Sequence, residues 1–275
     1  MTVSRQLRHF RQAVVPATAG FLLLLNLSAS VAQDLPTASI DHDNWQYLLD
    51  RYLLTPDDSG IALFNYSDVT APDKQLLDDY IQQLSGIDIS VYSDNEQRAY
   101  WINLYNAYTV DLILDNYPVD SIREIESGWL DFGPWDEKLL TVNGQLMSLN
   151  DIEHGTLRKR WPDPRIHYAV NCASIGCPNL ATRAYTANNL DDQLYAGALS
   201  FINSDRGMRF ENDVLVVSSI YKWFAEDFGD NRESLLDHLK TYARPSMRKR
   251  LENYSGPIRY EYDWGLNEFR SRLQQ

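Results

Sequence analysis

From Ser93 to Pro118 the chain reads SDNEQRAYWINLYNAYTVDLILDNYP. Ser93 followed by Glu96 has the spacing of a capping box, in which the serine side chain serves a free backbone amide of the first turn. Pro118 cannot continue a helix. The spacing predicts a helix from Asp94 to about Asn116, with Trp101, Leu104, Tyr105, Tyr108 and Leu112 as its buried stripe. Asn103 and Asn106 fall among these apolar positions. A buried amide without a partner costs roughly 1–3 kcal/mol, so both need one. Neighbouring loop backbone would make them fold-fixing residues. A cleft would let them orient a catalytic histidine or polarise a carbonyl.

The second constraining stretch is Arg165 to Leu180, RIHYAVNCASIGCPNL. Its apolar-polar alternation predicts a strand with Ile166, Tyr168 and Val170 on one face and His167 and Ala169 on the other. It then breaks into a short loop holding both cysteines of the chain, Cys172 and Cys177, and stops at Pro178.

Three chemistries fit this loop. Cys172 is a candidate nucleophile, since a thiol that ordinarily titrates near about 8.5 becomes useful at neutral pH beside a histidine or a helix N-terminus. Ala-Ser-Ile-Gly after it would form one helical turn with the thiol at its positive end. Strand parity puts His167 on the opposite face, so His154, from the preceding helix, is the candidate base, with Asp151, Glu153, Asn103 or Asn106 to orient it. His167 and Asn171 remain candidate binding residues. The reaction class would be acyl transfer or hydrolysis at a peptide or amide bond.

In the second chemistry Cys172 and Cys177 form a disulfide in a non-catalytic binding or scaffold domain, as two cysteines in an exported chain favour. In the third, His154, His167, Cys172 and Cys177 supply two nitrogens and two sulfurs to a tetrahedral zinc ion. Otherwise no cofactor is expected.

The rest of the chain predicts an α+β fold: one mixed domain over residues 33–275, several helices packed on a small, mostly antiparallel sheet with hairpins. Helices are expected at Asn44–Leu54 and Pro72–Leu84, with a short strand at Gly60–Tyr66 between them. A hairpin turns at Asn143-Gly144, a type I′ pair. Ser148 and Asp151 open a helix, SLNDIEHGTLRKR, whose Gly155 costs about 1 kcal/mol relative to alanine and so suggests close packing. Thr186 is expected to cap a helix to about Asn203, and Asn212-Asp213 to turn a second hairpin. SSIYKWFAEDFG reads as an amphipathic helix ended by Gly229. Further helices follow at Glu233–Ala243 and Pro245–Asn253, then a strand at Ile258–Tyr262. Tyr221, Trp223, Phe224, Phe228 and Trp264 are most simply core; a sugar-binding platform would need them exposed.

The N-terminal MTVSRQLRHFRQAVVPATAGFLLLLNLSASVAQDLP has a basic n-region, an apolar run to Leu25 and Ser30-Val31-Ala32 before a cleavage point. Residues 1–32 are therefore expected to be a signal peptide, making the protein periplasmic or secreted. Its removal takes Arg5, Arg8 and Arg11 from 25 basic side chains and leaves 22 against 38 acidic ones, net −16. Such a surface repels nucleic-acid phosphates, and no later window is apolar enough to span a bilayer. The expected partner is an unidentified small-molecule or peptide substrate.

WINLYNAY, DIEHGTLRKR, RIHYAVNCASIGCPNL, SIYKWFAEDFG and YEYDWGLN resemble, in that order, the domain of unknown function 547 family, from about Leu76 to Asn267. The resemblance implies an α+β domain found in exported bacterial proteins and singles out Asn103, Asn106, His154, His167, Asn171, Cys172, Cys177 and Pro178. It carries no mechanism.

Overall fold

A computed structural model of the protein describes residues 38–54, 60–125 and 133–269; the expected signal peptide lies outside them. The first half contains α1 (Asp43–Tyr52), β1 (Leu53–Leu54), β2 (Leu63–Phe64), α2 (Ala71–Ser85) and α3 (Asp94–Asn116). A hairpin of β3 (Leu140–Val142) and β4 (Gln145–Met147) precedes a π-helix, Asp151–Leu157, which runs into one α-turn, α4 (Arg158–Arg160). The second half contains α5 (Leu190–Ile202), β5 (Met208–Glu211), β6 (Val214–Ser218), α6 (Ile220–Trp223), α7 (Arg232–Tyr242), α8 (Pro245–Leu251) and β7 (Ile258–Glu261). Among these residues no helix is long and apolar enough to cross a membrane. The α+β class is as expected, but the strands are divided among three small sheets.

α3 organises the first half. Ser93 Oγ accepts from the Glu96 N–H at 3.3 Å, as the capping box requires. The Glu96 carboxylate does not return to the cap. It accepts instead from Ile40 N at 2.6 Å and Ala187 N at 2.9 Å, tying two distant segments to the helix start. Nor does α3 bury a single stripe: every residue from Ala99 to Ile113 is buried. A helix covered on all sides is a core helix, and α2 and the π-helix are among the elements packed on it.

The second half packs α5, α6, α7 and α8 around a three-stranded sheet. β5 and β6 pair antiparallel through the Asn212-Asp213 turn, where Asn212 takes a left-handed φ of 54°. β7 joins β6 in parallel after the helical crossover, placing Tyr262 and the segment behind it against the cysteine loop.

Four local expectations need correction. Pro164–Tyr168 is a 3₁₀ helix rather than a strand, with Asp163 accepting from the Arg165 N–H as its N-cap and Pro164 in the first turn. Gly155 lies exposed, with nothing within 4 Å of where a Cβ would sit, so close packing does not explain it. Thr186 does not cap α5; its N–H donates to Asn189 Oδ1 in the turn before the helix. SSIYKWFAEDFG is broken into α6 and a 3₁₀ turn, Ala225–Phe228, though Gly229 does end it in the left-handed conformation with φ 92°.

Candidate active site

Cys172 and Cys177 stand on the wall of a cavity of about 290 Å³ that His154, His167, Glu153, Tyr262 and several aromatic rings also line. The loop carrying the cysteines is fixed from three sides. From α3, Asn106 Nδ2 donates to Ala169 O at 2.9 Å, and its Oδ1 accepts from the Asn171 N–H at 2.8 Å. Asn171 then closes the loop on itself, accepting from Ala173 N at 2.9 Å and donating to Pro178 O at 2.8 Å. From the C-terminal segment, the Gly265 and Asp263 carbonyls accept from Ile175 and Gly176 N–H, and Asn267 N–H reaches Ala173 O. From the third side, Arg206 donates to the Ile175 and Cys177 carbonyls and to Asn179 Oδ1.

This bracing holds Ala173 at φ 57°, a left-handed backbone that costs a non-glycine residue roughly 1–2 kcal/mol. The chain therefore turns sharply after Cys172, and the helical turn expected there does not form. Close packing at Gly176 is strict: a Cβ would lie 2.7 Å from Asp263 N.

The two sulfurs are free thiols 2.7 Å apart. Cys172, part exposed, also meets Tyr262 OH at 3.0 Å and Ser174 Oγ at 3.2 Å, while its own N–H donates to Cys177 Sγ at 3.0 Å. Cys177 is buried. Burial alone would raise its pKa, but hydrogen bonds from the Cys172 thiol, Tyr262 and the Cys172 N–H outweigh it and bring Cys177 down to about 7. Cys172 moves the other way, pushed well up by its hydrogen bond to Cys177 and by burial. Burial and the adjacent thiols also keep the Tyr262 phenol protonated, so it remains a donor. The two thiols therefore titrate together, with Cys177 the more acidic of the pair.

His167 enters the same cavity because the 3₁₀ helix turns it there, against the strand parity argument. Its Nε2 lies 2.6 Å from Asp227 Oδ2 and its Nδ1 3.6 Å from Glu153 Oε1, and its ring stacks on Phe224 at 4.3 Å. Burial would lower its pKa, but the two carboxylates raise it, so the ring holds its proton above the ordinary histidine range. Glu153 and Asp227 are correspondingly depressed against the effect of burial, Asp227 to about 2.

His154 has a different part. Arg158 Nη1 sits 3.1 Å from His154 Nδ1. A guanidinium only donates, so Nδ1 accepts and the neutral ring carries its proton on Nε2. Burial pulls its pKa below the ordinary value, with Glu153 opposing and Arg158 assisting. Neither histidine hydrogen-bonds to a sulfur, and the expected base has its lone pair committed to Arg158. As placed, His154 is a proton donor.

The remaining sequence candidates separate. Asn106 braces the cysteine loop directly, whereas Asn103 serves Tyr185, donating to its carbonyl at 2.8 Å and accepting from its N–H at 2.9 Å. Both amides are thus spent on loop backbone, and neither orients His154. The four zinc candidates share the cavity wall. However, among the described residues no group of three or more histidine, cysteine or acidic side chains stands where it could hold a metal ion. His167 Nε2 and His154 Nδ1 already have partners of their own.

Tyr262, Asp227, Arg158 and Arg206 were not among the candidates. Arg158, Asp227 and Tyr262 lie in the quoted motifs DIEHGTLRKR, SIYKWFAEDFG and YEYDWGLN and Arg206 in none, but the signal of all four is tertiary, because only folding brings them to the histidines and the cysteine loop. Of the aromatics expected in the core, Tyr221 and Phe228 are there, but Trp223 is 47% exposed and lines the cavity with Phe224 and Trp264.

Compared with curated proteins and with solved structures, the chain finds no match in either. A family model described as "Protein of unknown function, DUF547" matches residues 89–202. That segment is shorter than the span of the resembling motifs; from beyond it Trp223, Phe224, Tyr262 and Trp264 complete the cavity and Asp227 pairs with His167. The segment matched by that model, residues 89–202, holds both cysteines and both cavity histidines.

Proposed function

We propose that the cavity is a thiol-dependent catalytic site acting on an acyl group, with Cys172 as nucleophile and Cys177 as the group that takes its proton. The observation supporting it is the pair of adjacent thiols on a cavity wall, of which Cys172 is the more exposed. Cys177 thiolate accepts the Cys172 proton, and the Cys172 sulfur then attacks the carbonyl carbon. The C–S bond forms as the carbonyl electrons move to oxygen, which the His154 Nε2–H can meet with a hydrogen bond. Collapse breaks the bond to the leaving group, which departs with the proton from Cys177. Water or a second nucleophile then cleaves the acyl–Cys172 intermediate, giving hydrolysis or transfer.

The experiment is alkylation with iodoacetamide across pH 5–10, with peptide mapping, after mild reduction. Labelling at Cys172 should follow the titration of the thiol pair, and Cys177→Ser, which removes the neighbour that takes the Cys172 proton, should slow it at neutral pH. A parallel incubation with a small activated ester should leave an acetyl group on Cys172. Alkylatable thiols that never take up the acyl group would rule out acyl transfer.

The sulfur contact also favours a second reading, in which Cys172 and Cys177 close a reversible disulfide in a binding or scaffold domain. Exchange with a small disulfide would remove two electrons and two protons from the pair. Export, the expectation from residues 1–32, would place the protein where such bridges persist. Intact mass under non-reducing conditions separates the two: a bridged resting protein with no acyl uptake after reduction supports the scaffold.

A further inference from the structure

At the mouth of the cavity Trp264 is the centre of a ring cluster. Its centroid lies 4.6 Å from Tyr262, 5.4 Å from Trp223 and 5.7 Å from Trp135, with the planes inclined by 54°, 30° and 66°. Trp223 and Tyr262 meet at 4.8 Å and 58°. All four rings line the cavity. Inclined rings form walls rather than one flat platform, and Trp223 is 47% exposed although it packs no core. Trp135 owes its place to Gly133, whose φ is 106° and where a Cβ would come within 2.1 Å of the indole. Any other residue there would push this wall away.

Two carboxylates line the cavity, Glu153 and Asp136. Glu153 is offset by His167, but Asp136, exposed on the lip, has Asn150 Nδ2 at 2.7 Å and forms no salt bridge among the described residues. The whole chain carries a net charge of −13. Trp264 already attracts one cation, since Arg123, which does not line the cavity, lies over its ring at 5.1 Å.

We infer that the four-ring mouth beside Asp136 is a subsite for a cationic group, so that the ligand of this cavity bears an ammonium. The rings present their negative faces to the cation and the carboxylate supplies the counter-charge, an arrangement that suits quaternary ammonium and also a lysine-like primary amine. This inference shares the cavity with the proposed acyl chemistry and names the ligand class, but the binding it describes requires no reaction.

The test uses the full chain and follows tryptophan fluorescence and heat of binding with choline, with n-butylamine, and with 3,3-dimethylbutan-1-ol, the uncharged isostere of choline. Choline or butylamine should bind about tenfold tighter than the neutral alcohol, and which of the two wins identifies the source of the cation. Asp136→Asn should weaken the cation several-fold and leave the alcohol unchanged. Trp223→Ala, at a half-exposed position, should weaken both cations. Equal binding of choline and the alcohol, preference for a neutral sugar such as glucose, or no binding by any of these ligands overturns the subsite. Repeating the titration with Cys172→Ser separates this outcome from a failure of the acyl chemistry, because the subsite should bind equally well without the nucleophile.

Discussion

Asp227→Asn removes one of the two carboxylates flanking the buried His167 ring while keeping the side chain's shape. Taking one partner from a buried ion pair costs about 3–5 kcal/mol, because the other charge is left uncompensated. Here Glu153 stays beside the ring and the Asp227 side chain is 23% exposed, so the low end applies, about 3 kcal/mol near pH 6. In a domain of this size each kcal/mol moves Tm by about 2–4 °C, which gives a fall of roughly 6–12 °C. The pH dependence has a definite sign. His167 titrates higher in the folded protein than its ordinary 6.5, so its contribution is full below 6.5 and is lost as pH rises through the raised value. Asp227, held near 2, stays ionised throughout that range. The gap between wild type and variant should therefore be largest near pH 6 and shrink toward pH 9, leaving the part due to the Arg158–Asp227 pair. Urea denaturation at the two pH values, followed by tryptophan fluorescence, measures it. An equal loss at pH 6 and pH 9 would mean that the folded ring carries no extra proton, and the charge assignment of the site would fall.

Asn103→Ala and Asn106→Ala each leave a buried carbonyl and a buried N–H unpaired, and each should cost about 3 kcal/mol in urea melts. Only Asn106→Ala should also speed alkylation of Cys172, since only Asn106 braces that loop. Arg206→Met removes a guanidinium that donates to the Cys177 carbonyl and has no carboxylate partner among the described residues. The alkylation midpoint should rise, and Arg206→Lys, which keeps the charge, should restore much of it. Gly176→Ala sets a Cβ against Asp263 backbone, which has no rotamer to turn away, and should cost about 1–3 kcal/mol. It should also slow Cys172 labelling near pH 7 by drawing Tyr262 off the sulfurs, and an unchanged pH–labelling profile would contradict the role given to Tyr262.

Local code was legible wherever a short segment decides its own conformation. Ser93 capping α3, Asn143-Gly144 turning β3 into β4, Ser148 and Asp151 exchanging hydrogen bonds at 3.1 and 2.9 Å, and Gly229 ending its turn all follow from neighbours within four residues. The same local reading failed at Arg165–Val170, where alternation suggested a strand. Asp163-Pro164, a cap followed by a first-turn proline, was the competing signal, and it decides the 3₁₀ turn that brings His167 inside.

By itself the sequence determined the α+β class, the long central helix and the loop on which both thiols must lie. It also marked the two asparagines as needing partners. Which partners they find, and that His154 donates where a base was expected, depends on Ala169, Tyr185 and Arg158 arriving from other turns and segments. The lowered pKa of Cys177 likewise depends on Tyr262 and Arg206, 85 and 29 positions along the chain. Hydrogen bonds and Coulomb interactions act over a few ångströms of space, whereas periodicity and capping act over a few residues of chain. The first set exists only once the chain has folded back on itself.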